Sequence, residues 1–411
     1  MTTLHAVKGP ASAVVPWLAA TWAGGDAALV LPTDAPPARI DALLTRLRPA
    51  TLTDLSDHDA PSRPVALAAM PVPPGAIREL PDPMPTAAEV RLVVATSGST
   101  GEPKGVELTS AALESATRSS LTRLGALAGE RWGLALPLHH VAGIAVVRRA
   151  WALRTEPVLV PSRAALATAE AEHLALVPTQ LARALDDGVD LARFRSILLG
   201  GARPPQTLLA RAREAGARVV VSYGMTETAG GCVYDGLPLD GVEVEVGADG
   251  RIRLGGPMLF HAYRGAPQAT EQAFEGSRFL TGDLGRWRDG RLEVLGRADE
   301  VAISGGENVA LPAVEEALRT HPAVADAAAS AQADPDWGEV VVAVVVPRDP
   351  DAAPTLEQLR AHVRAELPVS HAPRSLRLVD ALPRDALGKL ARTELDRLVD
   401  GADPATDHRS A

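Results

Sequence analysis

The sequence has a single cysteine and very little lysine. Cys232 is the only cysteine among 411 residues, which excludes an intrachain disulfide and a cysteine-rich zinc cluster and fits a reducing cytoplasm. Of the 41 basic residues, only Lys8, Lys104 and Lys389 are lysines. Arginine cannot replace a compact ammonium on a flexible stem at every site, so Lys104 and Lys389 are candidate functional residues.

An excess of positive charge and a long apolar run are also lacking. The formal net charge is -10, which offers no broad attraction to nucleic acid or anionic lipid. No segment reaches the roughly 20 uninterrupted apolar residues that a membrane span requires. We therefore predict a cytoplasmic protein without nucleic-acid or membrane partners, and leave a homodimer open.

The order of elements predicts an α/β fold with two domains. Between residues 90 and 225, short β-rich runs alternate with helical patterns, which indicates mainly parallel sheets covered by helices. Residues 242–254 alternate with period two around an Asp-Gly turn and predict a hairpin in a β-rich subdomain that closes the large domain. After residue 298 the pattern restarts as a small α+β domain, with a capping box at Thr355 and Gln358.

These patterns define the predicted boundaries. We predict an N-terminal domain over residues 1–298 and a smaller C-terminal domain over residues 299–400. The polar, aperiodic segment 401–411 is predicted to be a disordered tail.

The strongest local signal is TSGSTGEPKG, which lies between a predicted strand and a helix predicted from Ser110. Its glycines let the backbone fold closely around an anion, its hydroxyl groups can donate to phosphate oxygens, and its lysine adds positive charge. Pro103 and Gly105 break the Walker A pattern, so we predict a phosphate loop of another kind. The loop residues in this prediction are Thr96, Ser97, Gly98, Ser99, Thr100, Gly101 and Lys104.

This segment resembles the phosphate loop of the adenylate-forming superfamily of acyl- and aryl-CoA ligases, and the other motifs agree in order and spacing. The resemblance implies that ATP, Mg²⁺ and coenzyme A take part, with a small carboxylic acid as substrate. In SYGMTET it implies that Tyr223 and Gly224 contact the nucleotide, Thr226 the α-phosphate, and Glu227 the metal. It also implies an adenine floor at Gly200, Gly201 and Ala202, ribose binding by Asp283, and a nucleotide contact by Arg297.

The same resemblance implies that the N-terminal domain binds ATP and the carboxylate, and that the C-terminal domain is mobile. It implies a catalytic lysine at Lys389, a hinge at Asp299, and a loop facing coenzyme A at Ser304, Gly305 and Gly306. His140 in LPLHHVAG is implied to border the carboxylate pocket, although a histidine in an apolar stretch is also commonly a core residue. The acyl pocket is predicted to continue along Met225, Thr228, Ala229 and Gly230.

The short segment before the loop, together with LPLHHVAG and SGGEN, is similar to the compact actinobacterial ligases of menaquinone biosynthesis. This similarity implies 2-succinylbenzoate as the acid. Another aryl- or acyl-CoA ligase, specific for a benzoate-like or medium-chain acid, is the first alternative. A non-catalytic adenylate-binding protein is a more remote one, because such a protein would be expected to lose Lys389 first.

Overall fold

The computed structural model describes residues 1–56, 76–97, 103–305, 307–384 and 390–400. The chain divides into two compact units, one of residues 1–244 and 254–279 and the other of residues 245–253 and 280–411. Each unit is described below by itself.

The helices in the described residues begin and end near recognisable signals. The Thr109 hydroxyl caps the helix Ser110–Leu124 by accepting the N–H of Ala112, and this helix ends at Gly125 in the left-handed region. The predicted capping box at Thr355 and Gln358 is confirmed at the start of the helix Leu356–Glu366. The helices are α1 (Ala11–Ala23), α2 (Pro37–Leu47), α3 (Ser110–Leu124), α4 (Val141–Ala152), α5 (Arg163–Thr168), α6 (Pro178–Asp186), α7 (Gln206–Glu214), α8 (Pro267–Gln272), α9 (Leu311–Thr320), α10 (Leu356–Glu366) and α11 (Arg392–Asp400).

The strands in chain order are β1 (Leu4–Lys8), β2 (Ala27–Val30), β3 (Thr51–Asp54), β4 (Ile77–Glu79), β5 (Val90–Ser97), β6 (Pro103–Thr109), β7 (Trp132–Leu134), β8 (Val158–Leu159), β9 (His173–Leu176), β10 (Ser196–Leu199), β11 (Val219–Met225), β12 (Gly230–Tyr234), β13 (Leu237–Pro238), β14 (Glu243–Val246), β15 (Arg251–Gly255), β16 (Ala262–Tyr263), β17 (Phe274–Glu275), β18 (Arg278–Arg288), β19 (Arg291–Arg297), β20 (Val301–Ser304), β21 (Glu307–Ala310), β22 (Val324–Asp334), β23 (Gly338–Pro347) and β24 (Ser375–Leu378).

The first unit contains two sheets with parallel centres. One has the order β16-β6-β5-β2-β1-β3-β4 and the other β13-β12-β11-β10-β9-β7-β8. In the second sheet, β8, β7, β9, β10 and β11 run parallel, and β12 and β13 are antiparallel. The predicted α/β class is therefore confirmed.

The helix predicted from Ser110 is confirmed, but an unpredicted strand lies between the glycine-rich loop and that helix. Residues Pro103–Thr109 form β6, which pairs antiparallel with β5 before α3 begins. Val106 and Leu108 are fully buried, and their period-two alternation explains why this segment is a strand. The loop therefore joins two paired strands and still precedes α3.

The second unit has an α+β core. Its sheet order is β21-β20-β23-β22, with β24 parallel to β23, and α9 and α10 pack a shared apolar core against it. Residues 280–297, which include most of the β18–β19 hairpin, belong to this unit, whereas the sequence predicts that the β-rich subdomain closes the large domain. A Cβ on Gly296 would lie 3.0 Å from Pro312, which shows how closely the hairpin approaches α9. The boundary at residues 298 and 299 stays a prediction.

Every helix in the described part of the chain is too short or too polar to cross a membrane.

Candidate active site

The strands on either side of the glycine-rich loop are fixed by pairing. Thr96 on β5 lies opposite Lys104 on β6, and the Thr96 hydroxyl donates to the Lys104 carbonyl at 3.4 Å. Gly98, Ser99, Thr100 and Gly101, with the side chain of Ser97, lie outside the described residues. The structure thus places Lys104 opposite Thr96, on the paired strands that flank the predicted phosphate loop.

Glu227, the predicted metal ligand, is held by a tyrosine that sequence reasoning missed. Glu227 lies in the short helical turn Thr226–Thr228 directly after β11. The Tyr263 hydroxyl donates to Glu227 Oε1 at 2.9 Å, and the Phe260 N–H donates to the Glu227 carbonyl at 2.8 Å. Lys104 Nζ lies 5.1 Å from the centroid of the Tyr263 ring. The structure therefore brings both Lys104 and Glu227 against Tyr263, the ammonium over the ring and the carboxylate at the hydroxyl.

Burial raises the pKa of the Tyr263 phenol, and the neighbouring carboxylate of Glu227 raises it further. Tyr263 is only 9% exposed, so its hydroxyl remains a hydrogen-bond donor at neutral pH. Glu227 supplies hard carboxylate oxygens, and no cluster of three His, Cys, Asp or Glu elsewhere in the described chain could hold a metal by itself. This donor set fits Mg²⁺, which usually takes one or two carboxylates and completes its shell with phosphate oxygens and water.

The turn after Glu227 is held by hydrogen bonds between the Thr228 hydroxyl and the backbone of the turn itself. The Thr228 hydroxyl accepts the Met225 N–H at 2.9 Å and donates to the Gly230 carbonyl at 2.6 Å, and Thr228 is fully buried. Ala229 has a φ of 53°, in the left-handed region that L side chains rarely adopt. A Cβ on Gly224 would lie 2.1 Å from the Gly230 carbonyl, so only glycine fits there. Thr228 therefore shapes the predicted acyl pocket through the backbone.

The predicted adenine floor lies beside the predicted adenine-stacking tyrosine. Gly200 follows β10, and Tyr223 lies on the parallel neighbour β11. A Cβ on Gly200 would approach Ser222 to 3.6 Å, and Gly201 has a φ of 84°. Gly201 and Ala202 are exposed. The carboxyl ends of adjacent parallel strands are the usual location of nucleotide sites in open α/β sheets.

His140 is half-buried at the start of α4, where its ring centroid lies 4.2 Å from that of His139. Burial lowers the pKa of His139, so this imidazole is neutral at pH 7. A Cβ on Gly143 would lie 2.3 Å from the Pro137 carbonyl, which fixes the tight turn that carries the two histidines. His140 thus has a defined position, while its predicted role at the carboxylate pocket stays a prediction.

A buried arginine adjoins the predicted acyl pocket and was also missed from the sequence. Arg149 on α4 is 4% exposed and donates to the Ser120 hydroxyl at 2.9 Å and the Tyr234 hydroxyl at 3.2 Å. Its guanidinium carbon lies 4.9 Å from the Trp132 ring centroid. Across the described chain, no carboxylate is paired with Arg149. A small cavity beside it is lined by Val141, Ala145, Arg148, Ala229 and Gly231, among others.

In the second unit, the predicted ribose ligand and the predicted nucleotide-contacting arginine are direct neighbours. Asp283 on β18 pairs with Arg297 on β19. A Cβ on Gly282 would lie 2.7 Å from the Arg297 guanidinium, so that side chain lies over the glycine. The Thr281 hydroxyl accepts the Asp283 N–H at 3.1 Å and donates to the Ile252 carbonyl at 2.8 Å. These contacts fix the strand on which Asp283 is presented.

The predicted coenzyme A loop also has an unforeseen neighbour. Gly305 donates its N–H to the Trp337 carbonyl at 2.9 Å, and the Arg374 guanidinium carbon lies 3.8 Å from the Trp337 ring centroid. Trp337 is 44% exposed, so part of its indole ring is accessible beside Gly305. Gly306, Lys389 and the side chain of Asp299 lie outside the described residues, so their predicted roles stay predictions.

A doubly sheeted α/β unit with a predicted phosphate loop between paired strands, a tyrosine beside a Gly-Gly turn and a carboxylate predicted to bind the metal is the arrangement of an adenylate-forming ligase. The chain belongs to the AMP-binding enzyme family, whose model matches residues 20–263, and the model of the family's C-terminal domain matches residues 313–389. The fold, the cofactor class and the enzyme class predicted from the motifs are thereby confirmed.

The chain is similar to several 2-succinylbenzoate–CoA ligases. It is 44% identical over 326 residues to a probable 2-succinylbenzoate–CoA ligase of Mycobacterium tuberculosis, covering 75% of this chain and 84% of that protein. It is 33% identical over 330 residues to the Bacillus subtilis enzyme, covering 73% and 67%. A structure of o-succinylbenzoate–CoA synthetase from Bacillus subtilis with its acyl-adenylate intermediate superposes with a TM-score of 0.81 at 29% identity, covering 96% of this chain and 88% of that one.

Proposed function

We propose that this protein converts 2-succinylbenzoate, ATP and coenzyme A to 2-succinylbenzoyl-CoA, AMP and pyrophosphate in menaquinone biosynthesis. The family, the 44% identity to a relative of that name and the similarity to a synthetase structure holding the acyl-adenylate all support this proposal. ATP and coenzyme A are supplied in the cytoplasm, where we expect the protein to act.

The reaction needs two steps, because a carboxylate is a poor electrophile. In the first, a carboxylate oxygen attacks the α-phosphorus of ATP, the bond to pyrophosphate breaks, and an acyl-AMP forms. Lys104 and the loop amides would stabilise the phosphate charge, and Glu227 would hold Mg²⁺, which supplies further positive charge when bound. In the second, the thiolate of coenzyme A attacks the acyl carbon and AMP leaves.

Tyr223 and the Gly200–Ala202 turn would bind adenine, while Asp283 would accept the ribose hydroxyls and Arg297 would contact the nucleotide. The second step would use the loop at Ser304 and Gly305. Trp337 and Arg374 offer an aromatic face and a cation beside that loop, which suits a phosphorylated nucleotide such as the one in coenzyme A.

The observation that carries the choice of acid is Arg149. The partners of this buried cation, the Ser120 and Tyr234 hydroxyls and the Trp132 ring, are all neutral, so a carboxylate would be a favourable additional partner. Arg149 adjoins a cavity that Ala229, a predicted acyl-pocket residue, also lines. An acid with two carboxylates, one activated and one left free, would supply the missing anion. 2-Succinylbenzoate has this chemistry.

A pyrophosphate-release assay with ATP and coenzyme A tests both parts of the proposal. We expect the highest kcat/KM with 2-succinylbenzoate, and at least about tenfold less with 4-oxo-4-phenylbutanoate, which lacks the ring carboxylate, or with benzoate or a medium-chain acid. Arg149→Met should raise the KM for 2-succinylbenzoate and largely abolish this preference. Arg118→Met, on an exposed position of α3, is the matched control and should retain it.

The outcomes separate the alternatives. A higher rate with benzoate or a medium-chain acid would contradict the choice of substrate but keep the ligase class. Binding of ATP without pyrophosphate release from any acid would favour a non-catalytic adenylate-binding protein.

A further inference from the structure

Lys104 and Glu227 carry opposite charges near the same aromatic ring, yet they are not paired with each other. Within the described residues, no ion pair or hydrogen bond joins them. Glu227 receives the Tyr263 hydroxyl at 2.9 Å, and Lys104 Nζ lies 5.1 Å from the centre of the same ring. The phenol therefore contacts the acid through its edge and the ammonium through its face.

The position of Tyr263 is itself well determined. Tyr263 pairs with Val106 on β6, the strand that begins with the loop segment carrying Lys104. Its N–H donates to the Thr270 hydroxyl at 2.9 Å, and its ring packs against Phe260 with centroids 4.8 Å apart. Phe260 in turn donates its N–H to the Glu227 carbonyl. One short segment thus fixes both the backbone and the carboxylate of Glu227.

A direct Lys104–Glu227 ion pair would neutralise the two groups that MgATP needs separately. The ammonium is required at phosphate oxygens, and the carboxylate is required at the divalent cation. An aromatic spacer attracts the cation with its face and the anion with its hydroxyl, so it keeps both charges available before the nucleotide arrives.

We propose that Tyr263 is a positioning residue for MgATP, which orients Glu227 toward the divalent cation and keeps Lys104 from pairing with it. This inference rests on the proposed nucleotide and metal roles of Lys104 and Glu227. Tyr263 would act through both Lys104 and Glu227.

Tyr263→Phe tests the hydroxyl alone, since the ring and its contact with Lys104 remain. We expect the Mg²⁺ concentration for half-maximal pyrophosphate release to rise about tenfold, as for one lost hydrogen bond to a charged group. ATP binding in EDTA, measured by intrinsic tryptophan fluorescence, should be unchanged, while MgATP binding weakens by a similar factor. Tyr263→Leu removes the spacer as well, and should also weaken ATP binding in EDTA, because Lys104 can then pair with Glu227.

Two comparisons distinguish positioning from a general structural role. Tyr263→Phe combined with Glu227→Gln should weaken MgATP binding no more than Glu227→Gln alone, since the hydroxyl acts through that carboxylate. Thr155→Val, which removes a partly buried hydroxyl elsewhere in the same unit, should leave the Mg²⁺ dependence unchanged. A wild-type Mg²⁺ dependence in Tyr263→Phe would overturn the proposal. Because MgATP binding is measured without the acid, this result is separate from failure of the substrate assignment.

Discussion

His173 is completely buried, and both of its ring nitrogens have partners. Nδ1 lies 2.8 Å from the Ser196 hydroxyl and Nε2 lies 3.0 Å from Glu130 Oε2. The order serine, histidine, carboxylate resembles a hydrolytic triad, but Ser196 is 5% exposed and no substrate could reach it. The ring of Trp132 stacks on the imidazole at 5.0 Å. We interpret this network as structural.

Glu130 should make the stability of the protein depend on pH. Burial acts to raise its pKa, but hydrogen bonds from the Leu127 N–H and His173, together with the charge of Arg195, outweigh burial and lower the pKa below its usual 4.5. Its contribution to stability is therefore present above about pH 4.5 and is lost as the pH falls toward the lower folded-state pKa.

Thermal unfolding between pH 3 and pH 7 measures this effect. We expect Glu130→Gln to reduce the melting temperature at pH 7 and to flatten its fall in acid. Glu130→Ala, which leaves His173 without its partner, should cost about 1–3 kcal/mol. The exposed Glu214→Gln serves as the control, and an identical acid profile in Glu130→Gln and the wild type would contradict the assignment.

The sequence motifs identify the residues predicted to contact the nucleotide or its metal directly, such as Lys104, Tyr223 and Glu227. The motifs do not identify Tyr263, Arg149 or Trp337. These side chains are singled out only by their contacts, and folding alone brings the contacting residues together. Tyr263 is 36 positions from Glu227, and Arg149 is 85 from Tyr234. A buried arginine or a hydroxyl aimed at a carboxylate has no local sequence signature.

At the scale of elements, the strongly periodic segments were predictable, and β6 was not. The hairpin at residues 242–254 and the capped helix after Thr355 follow from turn chemistry and spacing that operate locally. β6 alternates over only a few residues, and its one polar side chain in that alternation, Glu107, is buried because it forms an ion pair with Arg264 at 2.9 Å. Arg264 is 157 positions away from Glu107, so local sequence patterns could not predict this strand.

The start of α11 is anchored by one arginine. Arg392 Nε donates to Glu300 Oε1 at 3.0 Å, and a terminal nitrogen donates to Glu315 Oε1 at 2.6 Å and to the Ala329 carbonyl at 2.9 Å. Glu315 is 5% exposed. This residue therefore ties α11 to α9, to β22 and to the segment after β19.

Arg392→Ala should destabilise the second unit by about 2–3 kcal/mol, since it leaves a buried carboxylate with fewer donors. Arg397→Ala lies on an exposed position of the same helix and should stay within about 0.5 kcal/mol of the wild type. Calorimetry on the full chain measures both variants. Equal transition temperatures for Arg392→Ala and Arg397→Ala would show that the contacts of Arg392 do not stabilise the second unit.

At the scale of the whole molecule, the family match and the motif order agree on a nucleotide-binding part followed by a C-terminal domain. The extent of each compact unit was not predictable, because residues 245–253 and 280–297 join the second unit through contacts made only after folding. The predicted hinge and the predicted catalytic lysine remain predictions for the second unit.

At the scale of the whole molecule, we predict that Lys389 is needed for adenylation but not for thioester formation. Lys389→Ala should slow pyrophosphate release by about 100-fold or more, as for the loss of one transition-state donor, yet leave thioester formation from synthetic acyl-AMP within about threefold. Lys8→Ala removes another of the three lysines and should leave both steps unchanged. If Lys389→Ala slowed both half-reactions equally, the prediction that Lys389 serves only adenylation would be refuted.

The only thiol of the protein, Cys232, lies on β12 and is 1% exposed. A colorimetric thiol reagent added to the folded enzyme should therefore titrate free coenzyme A with almost no background from the polypeptide. The same reagent would develop slow extra colour only when β12 opens. A single assay could then report substrate consumption and the integrity of the catalyst in one cuvette.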